Sequence, residues 1–327
     1  LALIESGKLL LSLEPMSFNE VMSDCQAMIE PQAQKSGIHL TFPQFDSPYF
    51  VKADRTRVKQ ILINLLSNSI KYNRADGTVV VNYSANTADR IRISITDTGE
   101  GLSVENLAQL FQPFNRLGRE AGTEEGTGIG LVVSKRLVEL MGGAIGAEST
   151  VGKGSVFWIE LILTDAPQIT LDDDQSLAIV PANISAEMPL RTLLYVEDNP
   201  ANLRLVESLL ERRPDIHLLS AQDGLRGIEV ALASLPDVIL MDINLPGISG
   251  IHALEILRKD LTTAHIPVIA LSANAMPRDI VRGLEVGFFR YITKPIKLNE
   301  FLATLDAALQ FSETQSAGTN TGKKHDS

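Results

Sequence analysis

The stretch at residues 165–190 constrains this chain more than any other feature. It holds five acidic residues (Asp165, Asp172, Asp173, Asp174, Glu187), three prolines and no Lys or Arg. Prolines break regular structure there, and like charges with no compensating base favour an extended, solvated chain. It therefore reads as an acidic linker that divides the 327 residues in two, in keeping with about 150 residues per domain. The linker carries five of the net eleven negative charges. An acidic balance of this kind argues against a general electrostatic grip on nucleic acid. No run approaches the roughly 18 apolar residues of a membrane-spanning helix. The single cysteine, Cys25, excludes an internal disulfide and a cysteine-cluster metal site.

Residues 1–6 have a helical pattern that Gly7 would stop. Leu9, Leu11 and Leu13 alternate like a strand. Ser17 and Glu20 have capping-box spacing, ahead of Phe18, Val21, Met22, Cys25, Met28 and Ile29 at helical spacing. Pro31 falls inside that helix and is expected to kink it. Asp54 can cap a second helix running to about Tyr72. Strands are predicted at 78–84, 90–96 and 156–163, and a helix at 129–141 ending on Gly142-Gly143. After the linker, five apolar segments at 192–196, 216–219, 238–241, 268–271 and 289–292 alternate with helical ones. That order predicts a parallel, doubly wound sheet. The polar residues 311–327 read as a disordered tail.

Three constellations in the first part carry chemistry. Asn64, Asn68 and Lys71 fall within a ~60° sector of the second helix, opposite the apolar stripe of Val58, Ile61, Leu62, Leu65 and Leu66. Two amides and an ammonium there can serve a hard cation and a phosphate. Asp97-Thr98-Gly99-Glu100-Gly101 follows a strand, placing a carboxylate where glycines allow close approach of a ring. Gly126-Thr127-Gly128-Ile129-Gly130-Leu131 opens a helix whose amides can wrap phosphate.

In this order the three resemble the histidine-kinase ATPase domain, of the wider group shared with type II topoisomerases, mismatch-repair ATPases and heat-shock chaperones. The matching boxes are Asn64-Leu65-Leu66-Ser67-Asn68-Ser69-Ile70-Lys71-Tyr72, Asp97 to Gly101, Phe111-Gln112-Pro113-Phe114, Gly126 to Leu131, and Gly152-Lys153-Gly154-Ser155. The resemblance implies a two-layer α/β sandwich over residues 14–164. It implies ATP as ligand, with Asn68 holding Mg2+ and Asn64 supporting it. Lys71 and Tyr72 would meet phosphates or sugar, Asp97 the adenine amino group, and Gly99 and Gly101 the base pocket. Residues 115–125, with Gly118 and Gly122, would form a lid on which Arg116 is a candidate γ-phosphate contact.

In the second part, Glu197 and Asp198 follow the first strand, Asp242 ends the third, Ser272 follows the fourth and Lys294 the fifth. Carboxyl ends of parallel strands converge at one edge. Three carboxylates there would repel unless a divalent cation neutralised them. One could then act as nucleophile toward phosphoryl, with ammonium and hydroxyl holding the transferred oxygens. The pattern resembles the response-regulator receiver domain, a flavodoxin-like (βα)5 fold, over residues 191–310. The resemblance assigns Asp242 as phosphoacceptor and Glu197 and Asp198 as Mg2+ carboxylates. It gives Asn244 as a carbonyl ligand, and Ser272 and Tyr291 as the switch pair. Glu197 stands where many members carry aspartate.

A histidine kinase needs an imidazole nucleophile. None of His39, His217, His252, His265 and His325 lies in the family's His-Glu/Asp-Leu-Arg-Thr-Pro type motif. Residues 1–13 resemble the end of the family's dimerisation hairpin and a lead-in strand. The sequence is thus read as the C-terminal part of a hybrid sensor histidine kinase, cytoplasmic, whose full length can be membrane-anchored. The acceptor histidine would lie upstream, and a homodimer would form only with that hairpin present. Asp242 would pass phosphoryl to a separate histidine phosphotransfer protein or response regulator. The fragment alone is not expected to phosphorylate itself. The alternative is a non-catalytic module in which nucleotide binding and receiver phosphorylation control docking of a partner.

Overall fold

Ile91, Ile93 and Ile95 alternate with Arg90, Arg92 and Ser94, and the alternation becomes the central strand of the first unit's sheet, with the isoleucines at most 1% exposed. The computed structural model describes residues 11–87, 89–113, 129–168, 190–273 and 283–321. The chain divides into two compact units, Leu1–Ala166 and Pro167–Ser327.

The first unit runs β1 (Glu14–Ser17), α1 (Phe18–Lys35), β2 (His39–Thr41), β3 (Phe50–Ala53), α2 (Arg55–Lys71), β4 (Thr78–Thr87), β5 (Arg90–Asp97), α3 (Val104–Gln109), α4 (Gly130–Leu140), β6 (Ala144–Thr150) and β7 (Gly154–Thr164). Its sheet has the order β1-β3-β7-β5-β4-β2, with β6 also paired to β7. The apolar stripes of α1, α2 and α4 pack against the inward residues of β4, β5 and β7 in one core. The result is a two-layer α/β sandwich.

Ser17 caps α1 by accepting from the Glu20 N–H at 3.4 Å, and Asp54 caps α2 by accepting from the Arg57 N–H at 3.0 Å. The expected strand at Leu9, Leu11 and Leu13 is not formed over its described part. Pairing with β3 reaches back only to Glu14. At Ser12 the backbone N–H turns to the Asp54 carboxylate instead, at 3.1 Å. Leu11 and Leu13 still pack on the core. Pro31 does not interrupt α1. The carbonyl it leaves unbonded within the helix, that of Ala27, belongs to an exposed residue that water can reach.

The second unit runs β8 (Arg191–Val196), α5 (Pro200–Leu210), β9 (Ile216–Ala221), α6 (Gly224–Ser234), β10 (Val238–Asp242), α7 (Gly250–Lys259), β11 (Val268–Ser272), β12 (Arg290–Thr293) and α8 (Leu298–Thr321). All five strands are parallel, in the order β12-β11-β10-β8-β9. Alternate strand residues feed two cores. Leu193, Tyr195, Leu240 and Leu271 face α5 and α8, whereas Leu194, Val196, Met241 and Ala270 face α6 and α7. Helices on both faces of a parallel sheet give the flavodoxin-like doubly wound arrangement.

The expected tail from residue 311 is corrected: α8 continues to Thr321. Phe311 packs on Phe289 with ring centroids 5.2 Å apart, Ser312 is buried, and Glu313 pairs with Arg191. The predicted helix end at 1–7, most of the acidic linker, the lid at 115–125 and residues 322–327 lie outside the described residues.

Candidate functional site

In the first unit the asparagine helix α2 is held from two directions. Asn64 Nδ2 donates to Ser134 Oγ on α4 at 3.0 Å. Gly130, at the start of α4, lies so close that a Cβ there would stand 2.6 Å from Asn64 Oδ1. Asn68 is half-buried one turn further on the same face. Lys71 Nζ lies 5.2 Å from the centroid of the Tyr72 ring. Tyr72 itself is 40% exposed, so cation and ring project together from the end of the helix.

Asp97 is 6% exposed. Its Oδ1 accepts from the Gly99 N–H at 2.9 Å and the Ser155 N–H at 3.1 Å. Burial raises its pKa, and these two amide bonds partly oppose the rise. Two glycines make this packing possible. Gly154 has φ +113°, and a Cβ there would stand 2.0 Å from the Asp97 carbonyl oxygen. Gly101 has φ +74° and meets the Thr150 carbonyl in the same way. A side chain at either would push the β6–β7 turn off the Asp97 loop. Gly99 abuts the Tyr72 carbonyl, so the carboxylate loop and the end of α2 are in contact.

Sequence reasoning missed the latch between them. Asn73 Nδ2 donates to the carbonyls of Ser69 and Thr78, at 3.1 and 3.0 Å. The Thr98 hydroxyl donates to Asn73 Oδ1 at 3.1 Å and accepts from the Thr78 N–H at 2.8 Å. Ser134 was also missed, while Ser155 stood within the quoted glycine box. Leu131 is half-buried on α4. Arg116, Gly126, Thr127 and Gly128 lie outside the described residues.

In the second unit the parallel register brings the predicted strand ends to one edge. Asp242 pairs with Leu271, and Ser272 with Thr293. Glu197 is 2% exposed, Asp242 1% and Ser272 4%. The buried ammonium of Lys294 donates to Glu197 Oε2 at 2.9 Å and also to Asp242 Oδ2. The Lys294 N–H donates to the Ser272 carbonyl at 2.8 Å, which ties β12 to β11 beside the cluster. The Asn244 N–H donates to Asp242 Oδ1 at 2.8 Å. Asp198 is half-buried. Tyr291 is half-buried, edge-on to Phe288 at 6.0 Å.

Two residues here were not foreseen. The Tyr195 hydroxyl, on a wholly buried side chain, donates to Glu197 Oε2 at 2.7 Å. Burial holds that phenol well above its usual pKa. The Asn199 N–H donates to Glu197 Oε1 at 3.1 Å. Glu197 and Asp242 both accept from the Lys294 ammonium and Asp198 follows directly, so these carboxylates outnumber the lysine beside them. Oxygen donors with surplus negative charge suit Mg2+.

Residues 53–165 match the family described as histidine kinase-, DNA gyrase B-, and HSP90-like ATPase, and residues 193–306 match the response regulator receiver domain. The chain thus carries an ATPase domain of that group followed by a receiver domain, and the relatives it is similar to are named as sensor proteins or sensor histidine kinases. It is 27% identical to Sensor protein GacS of Pseudomonas syringae pv. syringae, over 90% of this chain and 47% of that protein. It is 32% identical to Sensor histidine kinase AruS of Pseudomonas aeruginosa, over 88% of this chain and 29% of that protein. It is 30% identical to Aerobic respiration control sensor protein ArcB of Escherichia coli, over 95% of this chain and 39% of that protein. The chain therefore spans less than half the length of these relatives. An ATPase unit followed by a receiver supports a role in two-component phosphorelay signalling. No helix among the described residues is long and apolar enough to cross a membrane.

Proposed function

We propose that the ATPase unit binds ATP with Mg2+ and transfers the γ-phosphoryl group to a histidine other than the five of this chain, and that Asp242 then receives it. Asp97 accepts from the adenine amino group, with Gly99 and Gly101 lining the base. Asn68, supported by Asn64, holds the nucleotide's Mg2+. Lys71 and Tyr72 meet phosphates or sugar, Gly126 to Leu131 cradle the phosphates, and Arg116 contacts the γ-phosphate. In the first transfer the bond from γ-phosphorus to the ADP oxygen breaks as one to an imidazole nitrogen forms, and ADP leaves. In the second, the phosphorus–nitrogen bond breaks as one to an Asp242 carboxylate oxygen forms.

In the receiver, Glu197, Asp198, Asp242 and the Asn244 carbonyl are the residues that would hold Mg2+. A bound Mg2+ there supplies positive charge to the transferring oxygens. Lys294 adds fixed positive charge, and Ser272 and Tyr291 respond to the new phosphoryl group. The onward acceptor is a histidine on a separate phosphotransfer protein or a response regulator. Dimerisation belongs to the hairpin that bears the acceptor histidine.

The observation that carries this reading is the buried Glu197–Lys294–Asp242 cluster at the sheet edge. A solvated helix cap would not place two carboxylates and an ammonium together out of water. The test is γ-labelled ATP with the chain alone and with a dimeric hairpin bearing an acceptor histidine fused ahead of Leu1. The fused protein should acquire acid-labile label that moves to Asp242, and Asp242→Asn should stop it at histidine. Acid-labile label on one of the five histidines of the unfused chain would overturn the reading, as would label persisting on the receiver of Asp242→Asn.

A further inference from the structure

Glu197 is one methylene longer than an aspartate, and a longer carboxylate has more rotamers to lose before it can serve a cation. In this structure that freedom is removed. Glu197 Oε2 accepts from the Tyr195 hydroxyl at 2.7 Å and from Lys294 Nζ at 2.9 Å, and Oε1 accepts from the Asn199 N–H at 3.1 Å. Tyr195 is the largest fully buried side chain among the described residues of the receiver. It sits among Leu193, Leu240, Ile269 and Phe301, all apolar. A phenylalanine would fill that place equally well for packing alone. A hydroxyl in an apolar core is costly unless it is bonded, and Glu197 is the bond it makes.

We propose that Tyr195 is a positioning residue for the receiver's cation: its hydroxyl fixes the Glu197 carboxylate, and the pair is matched in length. The inference rests on the reading of Glu197 as a Mg2+ ligand. With Oε2 accepting from Tyr195 and Lys294 and Oε1 from the Asn199 N–H, the carboxylate plane is set from both of its oxygens. Removing the hydroxyl loosens the carboxylate, which keeps its bonds to Lys294 and the Asn199 N–H, without altering the cavity that holds the ring. Groups that orient a metal ligand from behind typically govern affinity by 10–100-fold, and one orienting bond among several should lie at the lower end, about tenfold. Shortening Glu197 to aspartate withdraws its carboxylate by about 1.5 Å. That breaks the contact with Tyr195, so in this background the hydroxyl no longer matters.

The test is calorimetric titration of MgCl2 into the whole, nucleotide-free chain as wild type, Tyr195→Phe, Glu197→Asp and the double variant. Tyr195→Phe should weaken Mg2+ binding about tenfold. Adding Tyr195→Phe to Glu197→Asp should change affinity less than about twofold. In parallel, acetyl phosphate labelling should show the Mg2+ midpoint of Tyr195→Phe displaced, with the rate at saturating Mg2+ nearly unchanged. Equal weakening in both backgrounds would mean a packing defect and overturn the proposal. So would an unaltered affinity in Tyr195→Phe, or a variant too unstable to titrate, because either makes the hydroxyl's role structural. A wild-type chain whose Mg2+ isotherm is unaffected by Glu197→Gln with Asp242→Asn would instead remove the metal-site reading itself.

Discussion

Lys294→Met should be the most informative single change in the receiver. The ammonium is buried, and its two partners, Glu197 and Asp242, are buried more deeply still. Methionine keeps most of the packing and removes the charge, so both buried carboxylates lose the ammonium they accept from. Breaking a buried pair in this way costs about 3–5 kcal/mol. A receiver of this size has about 6–18 kcal/mol to lose at 0.05–0.15 kcal/mol per residue, so the unit should remain folded. The loss belongs to the metal-free protein. The variant lacks the cation that competes for these oxygens, so Mg2+ should stabilise it more than the wild type. At 100 times its dissociation constant Mg2+ should return about 2.7 kcal/mol. Hydrogen-exchange mass spectrometry on peptides from β8 and β10 reads this unit alone. In chelator the slowest amides should exchange about two to three and a half decades faster, at 1.4 kcal/mol per tenfold. A loss below about 1 kcal/mol in chelator would refute the reasoning, as would equal stabilisation of both proteins by Mg2+.

Four further outcomes are expected. Asp97→Asn should weaken ATP binding with or without Mg2+, whereas Asn68→Ala should weaken it mainly with Mg2+; unchanged calorimetric affinity in both variants would contradict the nucleotide site. Thr98→Val leaves the Thr78 N–H without its acceptor and should cost the ATPase unit about 1–3 kcal/mol, while Thr98→Ser keeps the bond; urea unfolding followed on Trp158, the only tryptophan, measures both. Cys25 is wholly buried with its pKa pushed up to about 12, so a thiol reagent at pH 8 should label it only as fast as the unit opens, and complete labelling of native protein within minutes would disagree. Arg213 donates to both oxygens of Asp215, at 2.9 and 2.8 Å, and holds that carboxyl below its usual pKa. Its contribution is present above the unfolded value of about 3.9 and is lost as pH falls through the lower folded value. Asp215→Asn should therefore flatten the receiver's acid-unfolding limb in circular dichroism.

The legible parts were those in which one local pattern decides the outcome. The Ile91, Ile93 and Ile95 alternation fixed a strand face, Asp54 fixed the start of α2, and five apolar runs separated by helices fixed a parallel sheet. The receiver cluster was legible because parallel strands gather their carboxyl ends whatever fills the loops. Asp242, Glu197 and Lys294 could thus be brought together before any distance was known. In the ATPase unit the boxes gave Asn64 and Asp97, and also Gly130, whose contact with Asn64 follows from its place at the start of α4.

What stayed hidden depends on partners distant in sequence. The short strand β6 begins Ala144-Ile145-Gly146, a weak local pattern. It exists because β7 offers a free edge and Gly146 makes room for the Trp158 ring, where a Cβ would come within 2.3 Å. Leu11 and Leu13 alternate as a strand should, yet the ladder stops at Glu14 because the Asp54 carboxylate takes the Ser12 amide. Residues 311–315 look like tail because their composition is polar. Their helix is held by Phe289 and Arg191, 22 and 122 residues away in sequence from Phe311 and Glu313. Tyr195 is the sharpest case. In sequence it is one more apolar strand residue, and only the burial of its hydroxyl against Glu197 separates a packing role from a positioning one. Period-2 patterning assigns the face on which a side chain lies, but it is silent on which polar atom meets which. Tyrosine differs from phenylalanine by one oxygen, and that oxygen acts only through a partner the fold supplies.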